Sequence, residues 1–66
     1  MNYLPTMKPV KDHPENLKSF STLQNHRTYL ILGEVNEKYY AAIENETGMF
    51  FPSIEKDRLE LIQRNM

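Results

Sequence analysis

No cysteine occurs in this 66-residue chain, which excludes disulfide staples and thiolate zinc sites, two devices that commonly stabilise domains this small. With only two glycines there is no Gly-rich loop to cradle a phosphate. No apolar run approaches the roughly 18 residues of a membrane span. Residues 1–12 lack the uninterrupted apolar stretch of a signal peptide, so a cytoplasmic location without membrane contact is expected. Asn45-Glu46-Thr47 then reads as a chance glycosylation sequon. Strong charge of either sign is also missing: eight basic and nine acidic residues leave a net charge of −1. That balance gives neither the positive field of a nonspecific nucleic-acid binder nor a strong acidic one. The split along the chain is uneven, because residues 1–33 carry a balance of +2 and residues 34–66 one of −3.

A chain of 66 residues makes one domain and buries only roughly 60% of the surface its unfolded form exposes. Pro5, Pro9 and Pro14 punctuate residues 1–16; each removes a backbone donor and pushes the residue before it towards extended geometry. This segment is expected to be non-helical, either a flexible lead or an extended arm laid over the domain, with Tyr3, Leu4, Met7 and Val10 as its anchors. Composition changes near Leu17, so residues 17–66 are assigned to the domain proper. Leu17, Phe20 and Leu23 are spaced by three, which fits a helical turn or an irregular first strand; the strand is the preferred reading.

From Arg27 the pattern sharpens. Thr28, Tyr29, Ile31 and Val35 favour the pleated state, and Gly33 interrupts the run where a bulge fits, so 27–35 is read as a bent strand. Asn36-Glu37 makes a turn, and 38–44 forms the next strand, with Tyr39, Ala41 and Ile43 assigned to the core and Tyr40, Ala42 and Glu44 opposite. Asn45-Glu-Thr-Gly48 is the strongest turn signal in the chain, since Asn and Gly tolerate positive φ. Residues 49–51 return as a strand ended by Pro52. Beyond it, Ser53 can cap a short turn through Asp57 that leads to a last strand over 58–62, or the whole of 53–64 can form one helix.

Leu23, Tyr29, Ile31-Leu32-Gly33-Glu34, Tyr39-Tyr40, the Gly48 turn, the aromatic strand ending in Pro52 and the closing Leu59-Glu-Leu-Ile62 together resemble small SH3-like barrel proteins. Those proteins stand alone in Gram-positive bacteria and their phages, mostly with unknown function. The resemblance covers residues 17–62. It implies an all-β fold, a small SH3-like barrel of about five short strands, with a 3-10 turn before the last strand and an extended N-terminal arm.

Catalytic groupings do not emerge from the pattern. His13 and His26 are not in metal-ligand spacing, and Ser19, Ser21 and Ser53 lack a nucleophile-elbow context. Glu34 and Glu44 can meet across strands, but carboxylates on a barrel face are ordinarily solubilising. A non-enzyme without cofactor or metal is expected.

Aromatic residues are the remaining lead. Alternation forbids Tyr39 and Tyr40 from both pointing inward, and Phe50 and Phe51 likewise. Tyr40 and Phe50 are therefore assigned to the surface, bordered by Leu30, either under the N-terminal arm or as a protein-binding patch. The expected function is a cytosolic module, phage- or mobile-element-encoded, that docks on a host protein and modulates or inhibits it. The candidate contact residues are Leu30, Tyr40 and Phe50 with the acids Glu44 and Glu46. Two alternatives stand beside it: a barrel that binds nucleic acid through Arg27, Lys38, Lys56 and Arg58, and an acidic mimic of nucleic acid. A monomer or weak homodimer is expected in either case.

Overall fold

Short β-favouring runs separated by polar turns condense into one antiparallel sheet. In the computed structural model, which describes residues 5–62, its strands are β1 (Thr6–Pro9), β2 (Tyr29–Glu34), β3 (Tyr39–Glu44), β4 (Phe50–Glu55) and β5 (Leu59–Leu61). Their spatial order is β4-β3-β2-β1-β5. A single helical turn, α1 (Pro14–Leu17), interrupts the long β1–β2 connection, and a 3-10 turn (Lys56–Arg58) precedes β5. The fold is all-β, with five strands among the described residues and the 3-10 turn where it was expected.

The turn chemistry reads directly from the residues. Asn36 Oδ1 accepts from the backbone N–H groups of Lys38 and Tyr39 and so closes the β2–β3 turn. In the β3–β4 hairpin Gly48 adopts φ 75°, a conformation open to glycine at no steric cost, and its N–H donates to Glu44 C=O at 2.9 Å. The β2–β3 register shifts between Ile31 and Gly33, which is the bulge anticipated at that glycine.

Residues directly opposite one another share a face of the sheet. On the inner face one row holds Met7, Tyr29 and Glu44, and the next holds Ile31, Ala42 and Phe51. Met7, Tyr29, Ile31 and Ala42 from these rows form the core with Leu23, Ile54 and Leu59, and Tyr40 and Phe51 pack against its margin. Tyr29 fills the centre, with the Phe51 ring edge-on at 5.5 Å. Its hydroxyl accepts from Gln24 N–H, and burial pushes the phenol above its ordinary pKa.

Several expectations require correction. The β3 faces are inverted: Ala42 is fully buried and Tyr40 packs on the core, while Tyr39, Ala41 and Ile43 lie on the opposite face, half-buried. The charge on Glu44 marks the wrong face, because turn amides, not water, solvate its carboxylate. No strand forms over 17–23. The first strand is instead Thr6–Pro9, extended as expected of the arm but inserted between β2 and β5. Helical structure does occur before residue 17, because Pro14 occupies the first turn of α1, where its missing N–H costs nothing, and His13 Nδ1 caps it by accepting from Glu15 N–H. Pro52 does not end β4, which runs on to Glu55; it falls on an edge strand beside a register shift, where no ladder donor is required. Ser53 consequently lies within β4 and caps nothing, and the single helix over 53–64 does not form within the described part of that span. Tyr3 and Leu4, named as anchors, lie outside the described residues.

One buried side chain ties the long connection to the sheet. Asn16 Nδ2 donates to the carbonyls of Val10 and Arg58, each at 2.9 Å, and Asn16 Oδ1 accepts from Arg58 Nε at 2.8 Å. Arg58 Nη2 continues to Ser21 Oγ, which in turn donates to Leu23 C=O. Replacing a buried group so that its partners are orphaned costs roughly 1–3 kcal/mol per group. Asn16→Ala should therefore lower the free energy of unfolding by about 2–3 kcal/mol in urea titrations. Asn16→Asp should do no better, because it keeps the acceptor for Arg58 and turns a carboxylate on two carbonyls.

Candidate binding surface

Strand alternation that turns Ile31, Ala42 and Phe51 towards the core must send their neighbours outward. Thr6, Leu30, Ile43 and Phe50 are direct partners across β1, β2, β3 and β4 and form one outer row. Phe50 stands 57% exposed at the β4 edge, Leu30 and Ile43 are half-buried beside it, and Leu32 is exposed farther along β2. Cross-strand neighbours at this spacing present a continuous apolar strip, bounded towards β5 by the Lys8–Glu60 pair of positions.

The five residues proposed from sequence separate here. Leu30 and Phe50 fall in the same row. Tyr40 lies on the other face, packed on the core, with Lys56 Nζ 5.0 Å from its ring centroid and that ammonium 3.2 Å from Glu34. Glu44 is buried and Glu46 exposed, so these two do not form one acidic contact. Ile43 was missed because β3 was phased with Tyr39, Ala41 and Ile43 inward, the reverse of the phase that buries Ala42 and Glu44. A usable signal was the hairpin itself: once Gly48 fixes the turn, position 43 faces Phe50.

Glu44 does structural work. Burial raises its pKa, but the Thr47 hydroxyl, the N–H groups of Glu46 and Thr47, and Arg27 together outweigh that, bringing it from 4.5 to about 2. The contacts are Glu46 N at 3.0 Å, Thr47 N at 2.7 Å, the Thr47 hydroxyl, and Arg27 Nη1 at 3.5 Å. Arg27 also pairs with Glu46 and donates through Nε to Gln24 Oε1 at 3.3 Å.

Other titratable groups do not converge. Among the described residues no group of three or more His, Cys, Asp or Glu side chains is placed to hold a metal ion, and no helix is long and apolar enough to cross a membrane. His13 caps α1 and lies 3.5 Å from Asp57, whereas His26 is exposed on the far side of the connection.

A carboxyl whose folded pKa is depressed stabilises the fold above its unfolded pKa, and that contribution is lost as pH falls through the folded value. The Glu44 contribution should thus be complete above pH 4.5 and disappear between 4.5 and about 2. Thermal unfolding midpoints across this range should fall more steeply for the wild type than for Glu44→Gln, which carries no titrating group there. Equal slopes would remove Glu44 from the acid response.

Compared with known proteins, the chain matches no family model, no curated protein and no solved structure.

Proposed function

We propose that the protein is a small cytoplasmic binding module that docks on a host protein and modulates it, without chemistry of its own. The observation that carries this reading is the outer row Leu30–Ile43–Phe50, which ends in an exposed phenylalanine on the β4 edge strand. A rigid aromatic anchor flanked by half-buried aliphatic side chains is the composition of an interface hot spot. The strand order, the long β1–β2 connection and the 3-10 turn before β5 support kinship with the small SH3-like barrels of Gram-positive bacteria and their phages. On that reading the partner is a protein of the bacterial host.

Nucleic-acid binding draws less support. Of the four cations that were candidates for a basic patch, Arg27 is paired with Glu44 and Glu46, Lys56 with Glu34, and Arg58 is bonded to Asn16 and Ser21. The acidic-mimic reading likewise loses Glu44 to the hairpin turn and shares Glu46 with Arg27. Charges committed to internal partners are poorly placed to track a phosphate backbone or to imitate one.

The test is affinity capture from bacterial lysate with and without nuclease, followed by titration of the retained protein against variants. Phe50→Ala should weaken binding by about 2 kcal/mol with unchanged circular dichroism. Tyr40→Ala should instead lower thermal stability, because its ring packs on the core. Retention that disappears with nuclease, or a partner whose affinity ignores Phe50, would refute the proposal.

A further inference from the structure

Where β1 ends beside β5 lies a hollow of about 530 Å³, lined by Lys8, Pro9, Lys11, Asn25, His26 and Glu60. Its size falls within the roughly 300–1,000 Å³ of small-molecule sites. Backbone bonds fix its walls. Lys8 and Glu60 are register partners across β1 and β5, and Val10 N–H donates to Arg58 C=O at 2.8 Å just before Lys11. Arg27 N–H donates to Gln24 C=O at 3.0 Å and closes the turn that carries Asn25 and His26. Pro9 is buried and has no N–H to offer.

The cations of the chain differ in what surrounds them. Lys18, Arg27 and Lys56 pair with carboxylates, and Arg58 bonds Asn16 and Ser21. Lys38 has no such partner among the described residues, but the hollow it lines also holds Glu37, Glu55 and Asp57, which outweigh it and Lys56. Lys8 and Lys11 stand apart. Both are exposed, both line the same hollow, and its one acid, Glu60, forms no ion pair with either among the described residues. With His26 neutral, the two lysines against Glu60 leave the lining a balance of +1. Ammonium groups that share one space repel each other, and an anion between them reverses the sign of the interaction. Asn25 and His26 are exposed beside them and make no side-chain hydrogen bond among the described residues, so their donors are uncommitted.

We propose that this hollow binds a small phosphate-bearing anion, whose oxygens lie against the Lys8 and Lys11 ammonium groups and accept from the Asn25 amide and the His26 ring. A lysine ammonium serves a phosphate as a compact point charge and needs no fixed fork geometry. Glu60 opposes any anion at this place, so its removal should improve binding, a response that general surface charge elsewhere would not single out. The hollow lies beyond the Lys8–Glu60 boundary of the outer row. An anion there leaves Leu30, Ile43 and Phe50 uncovered, and the proposal does not rest on the protein-docking reading.

Titration of the full chain with inorganic pyrophosphate, followed through backbone amide chemical shifts, tests this. The shifts should saturate at millimolar ligand or below, centre on Lys8, Lys11, Asn25, His26 and Glu60, and weaken with added salt. Lys8→Ala and Lys11→Ala should each raise the dissociation constant about tenfold, as loss of one charge-assisted contact does. Their unfolding midpoints should be unchanged, since both side chains are exposed. Glu60→Gln should tighten binding, and Lys38→Ala should leave it as it is. Shifts that never saturate, that appear equally around Lys38, or that ignore Lys8→Ala and Glu60→Gln overturn the proposal. So does a thymidine oligonucleotide that saturates the same amides when pyrophosphate does not, which would make the hollow part of a nucleic-acid surface.

Discussion

The buried amide of Asn16 is the constraint on which the arrangement depends. Residues between β1 and β2 contain one helical turn and otherwise no regular pairing, and from Lys11 to Arg27 their backbone hydrogen bonds stay within the connection, so only its two ends are tied to the sheet by backbone. Asn16 supplies the tie by satisfying the carbonyls of Val10, where β1 ends, and Arg58, where β5 is about to begin, while holding the Arg58 side chain. Val10 N–H donates to the same Arg58 carbonyl at 2.8 Å. Three chain segments therefore meet at one side chain. Because each buried polar atom there has a partner, the cluster specifies an arrangement that hydrophobic contact alone would leave loose.

A second polar centre sits at the other end of the connection. Arg27 joins the residues leading into β2 to the β3–β4 hairpin through Glu44 and Glu46, and Glu44 itself solvates the turn amides. The long connection is thus pinned at both ends by side chains, and its middle is free to display Leu17 and Phe20 to solvent. Among the described residues a thin core of seven buried apolar side chains suffices because these clusters carry part of the task of fixing the loop geometry.

Local chemistry made some of this visible in the residues. Gly33 at a bulge, the turn at Asn36 and Gly48 with positive φ each follow from what a residue type can or cannot do within its own neighbourhood, whereas the 3-10 turn before β5 was expected only from the resemblance to small SH3-like barrels. What stayed hidden was set by distant partners. Thr6–Pro9 is a strand because β2 and β5 flank it, and four residues containing a proline carry no such sign. Pro52 is tolerated within β4 because that strand is an edge, a fact of topology. The phase of β3 was misread with Tyr39, Ala41 and Ile43 inward, because nothing local shows that Glu44 finds its solvation in Thr47 and Arg27 and can face the core side. The outer row was read accordingly: Leu30 and Phe50 were assigned to one surface and do share a row, Ile43 between them was assigned to the core, and Tyr40 was placed on the wrong face.

The position of β1 has a consequence for how the chain acquires its structure. Among the described residues the first strand in sequence is an interior member of the sheet, and one of its two neighbours is the last, with Met7 opposite Leu61. The β3–β4 hairpin can close locally, but β1 waits for a loop that spans nearly the whole domain, an entropic cost incurred before any contact offsets it. During synthesis the sheet stays open until Leu59–Leu61 has left the ribosome. A chain stalled before that point leaves the β5-facing side of β1, with Met7, as an unpaired edge.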